Sequence, residues 1–279
     1  MEPSQRKEAV RALEDRGLSR SRACALLGQP RRTLYYRRKL KPHDTMPVER
    51  TQTLAQERPR FGWRRLIIMV RRDMVGIGES RFRRIYRQLG LQVRPRKKRK
   101  VRYVRGTSMS AVARPDERWS IDFMHDRLAT ARTIRTMNVV DDFTRECLAI
   151  DVAFSFGSYD VIRCFEQIAD DRSLPQMIRF DNGPEFTSRA MLEWAATKSI
   201  DLQFIQPGKP TQNAHVESLN GRVRDELLNA HTFLDIHDAR QRAEHWRKDY
   251  NEIRPHSSLG YRTPEEFVRG FSIIPPSQL

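Results

Sequence analysis

Between Glu117 and Asn229 short apolar runs alternate with amphipathic stretches in an order that few folds accommodate. Strand-like runs come first, at 117–124, 134–142 and 147–154, close enough together to form a meander. A helical stretch at 159–171 follows, then a strand at 176–181, a helix at 188–198, a strand at 201–205 and a helix at 213–229. A meander continued by alternating helices and strands predicts an α/β domain, a mixed sheet with helices packed on it. Beyond it, Ile236 to Asn251 reads as a further helix. Thr263-Pro264-Glu265-Glu266 opens a short last one, with a cap, a proline at the first helical position and a glutamate three residues after the cap.

Within this body, three acids sit where chemistry can use them. Asp122 interrupts the apolar run Trp119-Ser120-Ile121-Asp122-Phe123-Met124, a buried strand with one polar group. Asp181 follows the strand Gln176 to Phe180 and precedes the turn signal Asn182-Gly183, so it stands at a strand's carboxyl end, where ligand sites of α/β sheets collect. Glu217 lies on a helix whose apolar stripe is Val216, Leu219, Val223 and Leu227, and it shares the neighbouring stripe with Asn220 and Arg224. Magnesium takes oxygen ligands and stays partly hydrated, so a few carboxylates plus substrate phosphate suffice for phosphodiester chemistry. Two such ions roughly 3.5–4 Å apart activate the attacking oxygen and stabilise the leaving one. Asp126, Asp141 and Asp142 stand in comparable settings, and composition does not exclude them. Taken singly, an Asp beside a turn usually caps it and a Glu on a helix usually faces water.

Charge is distributed unevenly. Residues 1–100 hold 29 of the 52 Lys and Arg but 9 of the 35 Asp and Glu, a balance of +20 against −3 for the remainder. Such asymmetry predicts a nucleic-acid-binding arm joined to a separate body. Gly17 to Gly28 carries Ala23, Leu26 and Leu27 at helical spacing, and Arg31-Arg32-Thr33-Leu34-Tyr35-Tyr36-Arg37-Arg38 follows, which reads as helix-turn-helix. A second unit places Leu66, Ile67 and Val70 on one helix and Phe82, Ile85, Tyr86 and Leu89 on another, with Arg81, Arg83, Arg84 and Arg87 opposite. Trp63, Phe82 and Tyr86 read best as small-domain core. The run Arg94 to Arg102 cannot bury a core and reads as a linker on phosphate backbone. The expected organisation is helix-turn-helix-like at 1–45, a second helical unit at 46–92, a basic linker at 93–111, the α/β body with its last helices at 112–272 and a tail at 273–279. Candidate DNA contacts are Arg31, Arg32, Arg37, Arg38, Arg81, Arg84, Arg96, Lys97, Lys98, Lys209, Asn220 and Arg224.

The stretch from Glu117 to about Gly270 resembles the integrase catalytic core of bacterial insertion-sequence transposases of the DDE class. The segments that carry the resemblance are WSIDF, MNVVDDFTRECLAI, IRFDNGPEFTS, FIQPGKPTQNAHVESLNGRVRDELLN and YNEIRPHSSLGYRTPEEF. Leu219 departs from it where an aromatic is common, without touching an acid. The resemblance implies a ribonuclease-H-like fold, metal-ligand and catalytic roles for Asp122, Asp181 and Glu217, and none for Asp141 or Asp142. It implies Mg2+ or Mn2+, two ions, as cofactor, and a reaction in which element ends are cut and joined to target DNA. As partners it implies DNA, further copies of the chain on that DNA, and an upstream-frame product, separate or fused. A nuclease of the same fold and a DNA-binding regulator with an inactive core are the rival readings.

Composition bounds the rest. No apolar run approaches the ~20 residues of a membrane span, and the basic start lacks the apolar segment of a signal peptide, so an intracellular location is expected, which the family resemblance narrows to the bacterial cytoplasm beside the nucleoid. Cys24, Cys147 and Cys164 are few and odd in number, which indicates neither a disulfide framework nor a zinc site. The seven histidines show no ligand spacing, although His215 neighbours Glu217.

Overall fold

Alternation along the strands decides the architecture, because successive side chains point to opposite faces of a sheet. In the computed structural model, which describes residues 3–35, 42–93, 112–181, 183, 185–205 and 213–272, the strands are β1 (Arg118–Arg127), β2 (Thr133–Asp141), β3 (Cys147–Ala153), β4 (Met177–Phe180) and β5 (Asp201–Phe204). They form one mixed sheet in the order β3-β2-β1-β4-β5; β1, β2 and β3 run antiparallel as a meander, and β4 and β5 add parallel to β1. Each predicted strand is present within three residues of its expected ends.

Helices cover both faces. Trp119 and Ile121 of β1, Met137 and Val139 of β2 and Ile178 and Phe180 of β4 pack with Val161, Cys164 and Phe165 of α7 (Ser158–Ala169) and Met191 and Ala195 of α8 (Arg189–Lys198). On the other face Met124, Ile134, Val140, Ile150 and Val152 meet Val216, Leu219 and Val223 of α9 (Ala214–Val223) and Ala239, Ala243, Trp246 and Tyr250 of α10 (Ile236–Glu252). The helix expected at 213–229 changes character at its end: Arg224–Leu228 is a π turn, which lets the consecutive Leu227 and Leu228 both reach the core. The last helix, α11 (Pro264–Ser272), carries the expected reciprocal cap, with the Thr263 N–H donating to Glu266 Oε2 at 2.7 Å and the Glu266 N–H to Thr263 Oγ1 at 3.1 Å. Together these layers are the α/β fold with flanking helices that the strand pattern predicts.

The amino-terminal part is helical: α1 (Pro3–Asp15), α2 (Arg20–Leu26), α3 (Arg31–Tyr35), α4 (Thr45–Glu57), α5 (Trp63–Asp73) and α6 (Glu79–Gln88). The chain divides into two compact units between Arg50 and Thr51. In the first, Val10, Ala23 and Cys24 form a small core with Leu13, Leu27 and Leu34 against it, and the turn between α2 and α3 passes through Gly28 at φ +58°. Leu26, expected on the apolar face, is 66% exposed.

In the second unit α5 and α6 pack through Leu66, Ile67, Val70, Phe82, Ile85 and Tyr86. Arg58 holds the Asp249 carboxylate with two nitrogens, one at 2.6 Å, and Arg72 donates to Ile253 O at 2.8 Å and Glu266 Oε1 at 3.0 Å, so this helical stretch is tied to α10 and α11. Trp63 is not core: it is half-buried, with the guanidinium groups of Arg64 and Arg83 each 4.9 Å from its ring centroid. Cys24, Cys147 and Cys164 are free and buried. Among the described residues no helix is long and apolar enough to cross a membrane.

Candidate active site

β1 carries Asp122 to the centre of the sheet, and strand alternation turns it away from the Trp119–Ile121 face toward α9. β4 pairs with β1 in the register Arg118–Met177, Trp119–Ile178 and Ser120–Arg179. Continuing that register by two residues sets Asp181, just past the end of β4, opposite Asp122. Glu217 lies in the first turn of α9, which crosses the same face. Three segments remote in sequence thus deliver one carboxylate each to one edge of the core.

Asp122 is the most enclosed of the three. Its Oδ1 accepts from the Phe123 N–H at 2.8 Å, and its Oδ2 from Asn220 Nδ2 at 2.7 Å. Burial pushes its carboxyl up to about 6 against the Phe123 hydrogen bond, and the negative charges of Asp181 and Glu217 push it in the same direction as burial. Burial also raises Glu217. Asp181 is exposed and accepts from the Gly183 N–H at 3.1 Å.

Among the described residues none of the three carboxylates is in an ion pair, and no group of three His, Cys, Asp or Glu side chains is gathered tightly enough to hold a metal ion as it stands. The acids are within electrostatic reach of one another without forming a finished cage. Their chemistry fits a divalent cation: oxygen donors only, like charges acting on Asp122, and no Lys or Arg paired with them among the described residues. Mg2+ sites of this kind are completed by water and substrate phosphate rather than by protein alone.

The neighbouring acids are all accounted for by other contacts. Asp141 Oδ1 accepts from the N–H groups of Phe143 (2.6 Å) and Thr144 (2.8 Å), and its Oδ2 from that of Asp116 at 2.7 Å. Asp142 is buried against Arg118 at 2.6 Å. Asp126 lies 3.8 Å from Arg224. Glu185, close to Asp181, is balanced by Arg135 at 2.7 Å, whose guanidinium sits 4.3 Å from the Phe123 ring centroid. Gly183 lies close between these acids: a Cβ there would meet Glu185 Oε2 at 2.8 Å and Asp181 Oδ1 at 3.1 Å, so those carboxylates would have to shift. His215 is held neutral, its ring lowered to about 4 by burial.

Two of the residues expected to contact DNA are engaged within the protein. Asn220 is 9% exposed and bridges Asn138 and Asp122. Arg224 donates to His125 O at 2.8 Å, which holds it on the end of β1. Arg31 and Arg32 are exposed on α3, while Arg81 and Arg84 on α6 are half-buried and make contacts within the protein. Arg37, Arg38, Arg96, Lys97, Lys98 and Lys209 lie outside the described residues. The sequence reading missed Asn138 altogether; its only signal is an amide inside the apolar run Met137 to Val140.

The integrase core domain family matches residues 112–210, and a second integrase core domain family matches 198–264. The chain is 43% identical over 251 residues to the 31.7 kDa protein of insertion element IS407 from Burkholderia multivorans, covering 90% of this chain and 91% of that one. It belongs to the integrase-core transposases of bacterial insertion sequences. The transposase InsD of insertion element IS2 from Escherichia coli is 24% identical over 84% of this chain and 81% of its own length. In fold, a chain of the simian T-cell lymphotropic virus intasome in complex with PP2A regulatory subunit B56 gamma superposes with a TM-score of 0.51, at 16% identity, over 81% of this chain and 76% of that one. The architecture is the ribonuclease-H-like one, and the transposase is a DNA polynucleotidyl transferase of the DDE class.

Proposed function

We propose that this transposase binds the inverted-repeat ends of its insertion sequence, hydrolyses one DNA strand there, and joins the freed 3′ hydroxyl to a second phosphodiester. Asp122, Asp181 and Glu217 would hold the divalent ions, Mg2+ or Mn2+ and two in number. Such ions supply activation of the attacking oxygen and charge neutralisation at the leaving one. The observation that supports this assignment is that the charges of Asp181 and Glu217 act on Asp122 while, among the described residues, none of the three is in an ion pair. The residues of the chain do the positioning: the Phe123 N–H and the Asn220 amide fix the Asp122 carboxylate, and the Gly183 N–H holds Asp181 Oδ1. Both chemical steps are in-line displacements at phosphorus, where alignment and charge neutralisation provide most of the acceleration.

The helical segments that precede the sheet would grip the element ends, α2 and α3 as a helix-turn-helix and α6 by its arginine face. Further copies of the chain assembled on DNA, and a cytoplasmic location beside the nucleoid, belong to the same proposal. An upstream-frame partner gains no support from the relatives. Asp122→Asn, Asp181→Asn and Glu217→Gln are each expected to abolish strand cleavage while binding to end DNA survives; cleavage at the wild-type rate by any one removes that residue from the site. A strand-transfer assay with labelled ends separates this reaction from that of a nuclease, which cuts and does not join. A magnesium-dependence test of cleavage separates it from a regulator with an inactive core.

A further inference from the structure

The face of the sheet that receives α9 turns polar around Asp122. Ser120 and Thr136 are buried beside it, and Asn138 stands directly opposite it in the register of β1 and β2. Buried polar groups cost free energy unless hydrogen-bonded, so such a cluster in a core has a reason other than packing. Asn138 is 0% exposed. Its Nδ2 donates to Asn220 Oδ1 at 2.7 Å, and Asn220 Nδ2 donates in turn to Asp122 Oδ2 at 2.7 Å. Asn138 Oδ1 has no hydrogen-bond partner among the described residues.

The direction of this chain is forced from one end. An ionised carboxylate only accepts, so Asn220 must turn its amide nitrogen to Asp122, and its oxygen is then left facing β2. Only a donor can meet it there. Asn138 supplies that donor and leaves its own oxygen buried and unpaired among the described residues, a cost that an apolar residue at the same place would avoid. Asn220 also lies one turn along α9 from Glu217, so the same amide ties the turn that carries Glu217 to the strand that carries Asp122.

We propose that Asn138 is a positioning residue of the active site: by locking the Asn220 amide in its donating orientation it fixes the Asp122 carboxylate and its placement relative to Glu217, and so sets the affinity of the acidic cluster for divalent cations. The inference rests on the metal-holding role given to the three carboxylates above. Groups that orient a metal ligand through one intermediary typically alter metal affinity or activity by about 10–100-fold when removed.

The test is calorimetric titration of Mn2+ alone into the full chain, without DNA, for the wild type, Asn138→Leu, Asn220→Ala and the double variant, beside metal-free thermal melts of each. Asn138→Leu is expected to melt cooperatively and to bind Mn2+ about 10–100-fold more weakly. Its kcat for strand cleavage should fall by a similar factor at subsaturating metal while KM for DNA stays unchanged. Because Asn138 acts through Asn220, the double variant is expected to bind Mn2+ no more weakly than the worse single one. If Asn138→Leu does not fold, Asn138→Ser, which removes the amide without adding apolar bulk, takes its place. Unchanged Mn2+ affinity in a folded Asn138 variant, or losses that simply add, overturns the positioning role alone. Failure of the wild type to bind Mn2+ overturns the carboxylate assignment and this inference with it.

Discussion

Buried histidines show how far single residues can be read from their neighbours in sequence. His256 sits in an Arg-Pro-His run that gives no hint of its environment, yet it is buried, with Nε2 3.1 Å from Tyr250 O and its ring edge-on to Tyr250 at 4.5 Å. Burial and the charge of Arg254 lower its ring to about 3, from 6.5. The native state therefore refuses a proton that the unfolded chain accepts, so stability is complete above pH 6.5 and is lost as pH falls from 6.5 toward 3. That loss amounts to about 1.4 kcal/mol for each pH unit in that window. Urea unfolding between pH 7.5 and 5 is expected to show an acid limb that His256→Gln makes shallower by about this amount, with His215 contributing a second limb of the same sign that persists; an identical slope in the variant excludes His256 as a source. The acids proposed as catalytic stand in local patterns, a lone Asp in an apolar strand, an Asp at a strand end and a Glu beside an apolar helical stripe, but Asp126, Asp141 and Asp142 share such settings and only the family resemblance separates them. Asn138 was not legible, since its reason for being there lies across a strand pair and one helix away.

Elements were legible where periodicity alone sets them. The apolar runs Trp119 to Met124 and Met137 to Val140 mark strands buried on both faces, and the stripe Val216, Leu219 and Val223 states which side of its helix is buried, without any tertiary information. The π turn at Arg224–Leu228 could not be read this way, because a spacing of three and four accounts for Leu227 but not for Leu228 beside it. This widened turn also aims Glu226 at Arg254, which is 1% exposed at the end of α10 and bonded through Nε at 3.2 Å and more closely through Nη2. Removing one partner of a buried ion pair leaves the other uncompensated, at about 3–5 kcal/mol. Glu226→Ala is accordingly expected to lower the unfolding free energy by that amount, whereas Arg163→Ala, which breaks an exposed pair with Asp160 on α7, should stay within about 1 kcal/mol of wild type. Equal effects from the two would show that the turn does not depend on Arg254.

For the molecule as a whole, the uneven charge points to a nucleic-acid partner, and exposure divides the arginines of α6. The expected contacts Arg81 and Arg84 of α6 are half-buried and engaged within the protein, while Arg83 and Arg87 on the same helix are exposed. With Phe82, Ile85 and Tyr86 in the core, Arg84 and Arg87 point farthest from it and Arg83 flanks them; Arg84 turns along the helix to donate to Gln88 Oε1 at 3.3 Å. Arg83 also flanks the half-buried Trp63, so a basic and aromatic surface is continuous across α5 and α6. Each phosphate contact releases counterions on binding, and the logarithm of the affinity falls with the logarithm of salt concentration by about 0.9 per contact. Binding of the full chain to a duplex end, measured across salt concentrations, should therefore show a slope that Arg83→Gln and Arg87→Gln each flatten by about 0.9, and that Arg81→Gln leaves unchanged. An unaltered slope in the Arg83 and Arg87 variants, with binding otherwise intact, would move the DNA to another face of the protein and leave α6 a structural helix.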